Sequence, residues 1–159
     1  MGSQDPLGQV TLALAMRFGV VVGGLNLGWW SSCQGLAVTI KPDQATPLGV
    51  NGYRQVLMPT IEYPPIVLER AVDSKSTAAL QSWLTQEITS WYKNNSSGQP
   101  YAGQTATITL YDSHSTSIMS WTLYGVYPTK WTGPKLSSKE GVAIESLELT
   151  HEGFLQVDV

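Results

Sequence analysis

Charge is scarce in this sequence. Of its 159 residues only 13% are Asp, Glu, Lys or Arg, against about 25% in a typical soluble domain. A lone chain must wet its whole surface, whereas a chain covered by neighbours need not, so the shortage points to an oligomer. Basic residues never run together. With a net charge of −3, nothing electrostatic calls for contact with nucleic acid. Cysteine is nearly absent, and the single Cys33 excludes any disulfide within the chain. That suits folding in a reducing cytoplasm. Cys33 sits in Ser31-Ser32-Cys33-Gln34-Gly35, with no histidine close in sequence, and reads as a small buried filler rather than a nucleophile.

An unbroken apolar run is also missing. Leu7 to Leu27 is rich in Leu, Val and Ala, but Arg17, Gly19, Gly23 and Gly24 interrupt it. A membrane span of about 20 apolar residues does not fit there. Nor does a signal peptide, since only Asp5 precedes the run as a charge. Residues 1–13 read as a loose N-terminal arm.

The groups that catalysis brings together are lacking as well. His114 and His151 share no HxH or HxxxH spacing and have no cysteine partner, which argues against zinc. No Gly-x-Ser-x-Gly elbow occurs, and Gly23-Gly24 has neither the spacing nor the following helix of a phosphate cradle. Glu145 and Glu148 lie three apart on an expected strand, so they face opposite sides and form no acid/base pair. The expectation is no enzyme, no catalytic or metal-binding residue and no cofactor. Six Trp and seven Tyr leave open a carbohydrate-binding β-sandwich. Most of these rings, however, fall on apolar-phase positions that packing or an interface explains.

What the chain does have is 42% hydrophobic residues, enough for one core in one domain over 1–159. Phe18, Val20 and Val22 alternate with smaller residues ahead of a Gly23-Gly24-Leu25-Asn26 turn. Leu36, Val38 and Ile40 mark another half-buried strand. Residues 42–59, with three prolines and two glycines, read as a long loop excursion of the kind that is usually functional. Ile66 and Leu68 resume a strand. Leu80, Trp83, Leu84, Ile88 and Trp91 recur at helical spacing and predict one helix pinned to a sheet by that face, with Asp73, Ser74 and Ser76 as N-cap candidates, Lys93 near its negative end and a stop at Asn94 to Gly98. Strands return at Thr105–Tyr111 and Ile118–Tyr127. In the last strand Val142 and Ile144 occupy one face and Leu147 and Leu149 the other, a phase change that predicts a β-bulge or burial of both faces. The stretch after Lys139 is acidic, either a solvated strand face or a functional lining. The fold class is α+β: six or seven antiparallel strands in a sandwich or barrel with one packed helix.

The C-terminal third carries a resemblance. Trp121-Thr122-Leu123, then Tyr127-Pro128-Thr129-Lys130-Trp131-Thr132-Gly133-Pro134, then Val142-Ala143-Ile144-Glu145-Ser146-Leu147-Glu148-Leu149-Thr150-His151-Glu152-Gly153-Phe154 resemble the T4-like phage tail tube family. The branch in extracellular contractile injection systems is the most similar. Arg17 to Leu25, Cys33 to Leu36, and Met58-Pro59 followed by Ile66 to Arg70 match the family's opening hairpin, its next step and the block before the helix. Departures are Ala71 for a usual Gly, Cys33 for Ser, Tyr127 for Trp, and the 42–59 excursion.

The resemblance implies a structural subunit whose hexameric rings stack into an inner tube. It implies sheath and baseplate proteins as partners, protein cargo in the lumen, assembly in the bacterial cytoplasm, and a particle that is released or acts at a membrane. A baseplate-proximal tube initiator of the same fold is the alternative. Two site expectations accompany this reading: Tyr53 and Arg54 in the excursion contact the adjacent ring, and Glu145 or Glu148 faces the lumen.

Overall fold

The computed structural model describes residues 16–45, 55–98, 102–134 and 141–156. Among them the chain forms nine strands and one helix. The strands are β1 (Arg17–Val22), β2 (Leu25–Trp30), β3 (Ser32–Gln34), β4 (Thr39–Ala45), β5 (Gln55–Glu62), β6 (Ile66–Ala71), β7 (Gln104–Tyr111), β8 (Ser117–Thr132) and β9 (Ile144–Thr150); the helix α1 (Ser74–Ser97) lies between β6 and β7. Seven strands make one antiparallel sheet in the order β2-β1-β7-β8-β9-β6-β3, and β4 and β5 pair only with each other. The class is α+β.

The sheet bends on β8. Residues 117–126 of this strand pair with β7, and residues 127–132 pair with β9. A register slip beside Gly125 and another beside Thr129 add the local twist that turns one half of the sheet against the other. The strands at the two ends, β2 and β3, are consecutive in sequence and separated by Ser31 alone. Among the described residues no ladder closes the sheet between them. The Ser31 amide and hydroxyl instead both donate to the Glu69 carbonyl at 3.0 Å, so a single residue carries the chain from one edge of the sheet to the other.

The core lies between the two halves. Val20, Val22, Ile108, Leu123 and Val126 from one half meet Ile66, Leu68, Leu147 and Leu149 from the other, with Leu80 and Trp83 of the helix filling the open side. Each fully buried side chain of this size contributes about 1.5–3 kcal/mol. Asp73 caps the helix by accepting from the Ser76 amide at 3.0 Å, and Gly98 ends it in a left-handed conformation. The helix therefore runs through the Asn94–Ser97 stretch expected to stop it, and Lys93 lies before its last turn.

Two expectations are corrected here. The apolar stripe is only partly covered: Leu80 and Trp83 are buried, while Ile88 and Trp91 are more than half exposed, although the polar Glu87 beside them is buried and the helix still borders Tyr127 and Pro128 of β8. In β9 there is no bulge, since its register with β6 runs unbroken from Ile144 to Leu149. The phase change disappears because Glu145, not a hydrophobe, holds the core-facing position, leaving Ile144 on the open face.

Candidate assembly interface

An arm leaves the sheet at its β3–β6 end. β3 leads into β4 and β5 leads back into β6, so the two antiparallel pairs are successive stretches of one hairpin. Between them the backbones cross closely at Gly35. A Cβ there would lie 2.0 Å from the Pro65 carbonyl oxygen, and φ is +97°, a conformation that glycine alone adopts cheaply. Within 42–59 the described residues, 42–45 and 55–59, are strand where the sequence suggested loop. Pro42 and Pro59, which lie within the register slip of this ribbon, mask its period-2 patterning. Tyr53 and Arg54 lie outside the described residues.

Among the arm's described side chains, apolar groups lie on the surface. Ile40 and Ile61 are cross-strand partners and are 59% and 38% exposed, and Lys41 and Glu62 beside them make a solvent-facing ion pair at 2.9 Å. An isolated two-stranded ribbon is marginal in water. A second surface open to solvent lies on α1, where Ile88, Trp91, Tyr92 and Asn95 line a groove of about 500 Å³.

The outward faces of the two sheet halves differ in chemistry. On the β7–β8 half, Thr107 opposes Thr122 and Thr109 opposes Ser120, their hydroxyls 3.1 Å apart in the second pair. The face is neutral and hydroxylic, and Arg17, stacked 4.1 Å above the Trp29 ring, borders it. Trp29 in turn meets Tyr111 edge-on at 4.9 Å. On the β6–β9 half the outward positions are charged: Glu148 stands opposite Val67 on one side and Lys130 on the other, and Glu69 opposes Ser146.

Glu148 therefore sits on an outward face, as a lining residue requires. Glu145 does not. It has no exposed surface, which corrects the expectation that it faces a lumen. Its carboxylate accepts from Arg70 Nε at 2.5 Å and Thr77 Oγ1 at 3.0 Å through one oxygen, and from Trp131 Nε1 at 3.1 Å through the other. Arg70, 5% exposed, also donates to the Leu27 carbonyl at 2.6 Å and the Ser76 carbonyl at 3.2 Å, and lies 3.9 Å over the Trp30 ring. Gly28, at φ +87°, makes room for this approach, since a Cβ there would lie 3.0 Å from Arg70 Nη1.

One guanidinium thus ties β2, β6, β9 and the first turn of α1 together across the gap that no ladder closes. Arg70 and Glu145 are direct cross-strand partners. Charges of opposite sign in the apolar phase of two separate strands were the available signal in the sequence.

His151 continues the covered face beyond β9, packed against Tyr63 and Phe154 with ring centroids 5.4 and 6.2 Å away. No hydrogen bond of ordinary geometry reaches either ring nitrogen among the described residues. Burial lowers its pKa from the usual histidine value, only partly offset by the nearby Pro64 and Gly153 backbone. The unfolded chain then takes up the proton first as pH falls. Stability is expected to drop as pH passes below about 6.5, with no further loss from this group below its folded pKa. Thermal melts of a His151→Phe variant should lack that acid-side drop, and an unchanged pH profile would assign it elsewhere.

Cys33 is half-buried and its thiol is pushed up to about 11 by burial, so it is a poor nucleophile near neutral pH. Among the described residues no cluster of His, Cys, Asp and Glu could hold a metal ion, and no helix is long and apolar enough to cross a membrane.

Comparison with known proteins was informative at the levels of family and fold. The family model described as T4-like virus tail tube protein gp19 matches residues 14–155. No curated protein matches. A chain of the anti-feeding prophage baseplate, 6-fold symmetrised, has a similar structure at 19% identity and TM-score 0.61, covering 92% of this chain and 94% of that one. A chain of the sheath-tube complex of an extracellular contractile injection system, PVC, in the extended state matches at 20% identity and TM-score 0.58, covering 86% and 85%. Hcp1 from Salmonella typhimurium matches at 10% identity and TM-score 0.52, covering 87% and 83%. At such identities the likeness is one of fold.

Proposed function

The chain belongs to the T4-like virus tail tube protein family, and from that premise we propose that it is the inner-tube subunit of a contractile injection system. It works as one domain over 1–159, in hexameric rings that stack into a hollow tube. The observation that carries this reading is the arm, a two-stranded ribbon separate from the main sheet with Ile40 and Ile61 exposed on its surface, the kind of element that is stabilised by a second body. Two sources of the fold relatives add support, a six-fold symmetrised baseplate and a sheath–tube complex. Rings follow from a head-to-tail contact whose rotation closes, and stacking follows from a second contact that does not close.

In this arrangement the protein is a scaffold and not an enzyme. Sheath and baseplate proteins are its outer and terminal partners, protein cargo occupies the lumen, and assembly takes place in the cytoplasm before the particle is released or acts at a membrane. Tyr53 and Arg54, in the segment that joins β4 to β5, contact the adjacent ring. The charged β6–β9 face, with Glu148, lines the lumen.

Negative-stain microscopy of the purified chain tests the reading. Long tubes about one ring wide are expected. Single rings that never stack would make it the baseplate-proximal initiator instead, and a monomer that stays monomeric beside its sheath and baseplate partners would overturn both. Substituting Tyr53 or Arg54 by alanine should shorten the tubes while leaving the subunit folded. A thiol reagent too large to enter the tube should fail to label Glu148→Cys in capped tubes and succeed on free subunits.

A further inference from the structure

After β9 ends, the chain crosses back over β8. Residues 151–156 form a short strap there, held by two backbone hydrogen bonds: the Glu152 amide donates to the Tyr124 carbonyl at 2.8 Å, and the Tyr124 amide donates to the Gly153 carbonyl at 3.0 Å. The same strap packs against the root of the arm. The Tyr63 ring lies on His151 and Phe154, with centroids 5.4 and 5.3 Å away. It is so close to Gly153 that a Cβ there would come within 2.7 Å of it. Tyr63, Pro64 and Pro65 join β5 to β6 outside either ladder, so side-chain packing and not strand pairing fixes this joint.

His151 is the pivot of that packing. It is 6% exposed, and neither ring nitrogen has a hydrogen bond of ordinary geometry among the described residues. A neutral ring tolerates the site. A protonated ring would bring a full charge and two N–H donors into it, with only the Pro64 and Gly153 backbone near. Among the described residues no carboxylate forms an ion pair with this ring. Glu62 is paired with Lys41 on the arm's surface, and Glu152 lies over Gly125, where a Cβ would come within 2.6 Å of its Cδ. Glu148 and Lys130 oppose each other on the outward face, and Glu87 of α1 borders Tyr127 and Pro128. The other titratable neighbours, Tyr63, Tyr124 and Tyr127, are phenols and add no carboxylate.

We propose that residues 151–156 are an acid-released strap: the neutral His151 ring holds the root of the arm against β8, and uptake of one proton from solvent by that ring frees strap and root together while the seven-stranded sheet stays folded. Opening is local because only the isolated bridge between Tyr124 and Gly153 has to break, not the continuous ladder of β9. The inference goes beyond the tube reading and does not rest on it, since strap and root belong to one chain. In the opened strap the ring titrates at about 6.5. Lowering the pH from about 7.5 to about 5.5 therefore raises the open population by up to about tenfold, the limit for a closed ring that takes up no proton.

Native-state hydrogen exchange on the full chain reads this opening. The Glu152 and Tyr124 amides should lose about three- to tenfold of their protection over that pH interval, with little dependence on low concentrations of urea, as a local opening exposes little surface. The Ile108 amide in β7 should show the steeper urea dependence of global unfolding. Strap amides whose protection ignores pH, or whose urea dependence follows that of Ile108, would overturn the proposal. His114→Gln, in the exposed β7–β8 turn, should keep the release, and its loss there would refute the assignment to His151. His151→Phe should abolish the pH dependence, and persistence of the release in that variant would equally refute it. Should His151→Phe fail to fold, the native chain and His114→Gln still decide the matter.

Discussion

Replacing Glu145 by leucine should destabilise the fold by about 3–5 kcal/mol, even though it makes the core more apolar, because it strands the buried Arg70 guanidinium without a counter-charge. For a chain of this length, that corresponds to a fall of about 6–20 °C in melting temperature. Arg70→Met should cost a similar amount by leaving the carboxylate with only Thr77 and Trp131 as donors. The informative variant carries both changes. Removing the two charges together removes the desolvation cost along with the attraction, so Arg70→Met/Glu145→Leu is expected to recover most of the loss. Urea titration at neutral pH measures all three. If the double variant is as unstable as the sum of the singles, the guanidinium matters chiefly for the Leu27 and Ser76 carbonyls that it holds, and the ion pair is incidental.

Gly35→Ala is expected to cost at least about 1–3 kcal/mol from the left-handed backbone alone. The larger effect is geometric. The added methyl group collides with the Pro65 carbonyl, which belongs to backbone and cannot swing aside as a side chain would. The crossing between β3–β6 and β4–β5 must open, and the arm must leave the sheet in a different direction. Tubes should therefore be lost even under conditions where the subunit remains folded by circular dichroism. A Gly35→Ala protein that melts with the parent and builds tubes of parental length would show that the arm tolerates being redirected.

Much of the fold is legible from periodicity. The β1–β2 hairpin with its Gly23-Gly24 turn, the alternation in β7 and the capped helix are all local patterns, and local patterns are what a strand or helix must display to bury one face. The errors arose where tertiary context overrode pattern. Ile144 is apolar yet lies on an open face, while Glu145 is ionisable yet holds a core position because Arg70 sits opposite it across two strands. Ile88 and Trp91 keep the helical spacing of buried residues yet stay more than half exposed, while the polar Glu87 is the buried residue there, and which side of a helix faces the sheet at each turn cannot be read from spacing alone. In the arm, two prolines suggested loop, although they sit beside a register slip, where a missing amide donor costs little. The assembly surfaces were only partly legible: the charge shortage pointed to covered surface, but which residues lie on it depends on the order of strands in the sheet.

One strand belongs to both halves of the sheet. β8 is laddered to β7 along its first ten residues and to β9 along the rest, so it acts as a spine to which both halves are fastened. A load that pulls the halves apart along the strand direction strains many backbone bonds at once in shear, instead of opening them one after another like a zipper. In this arrangement, resistance to shear comes from the backbone and survives most changes of side chain.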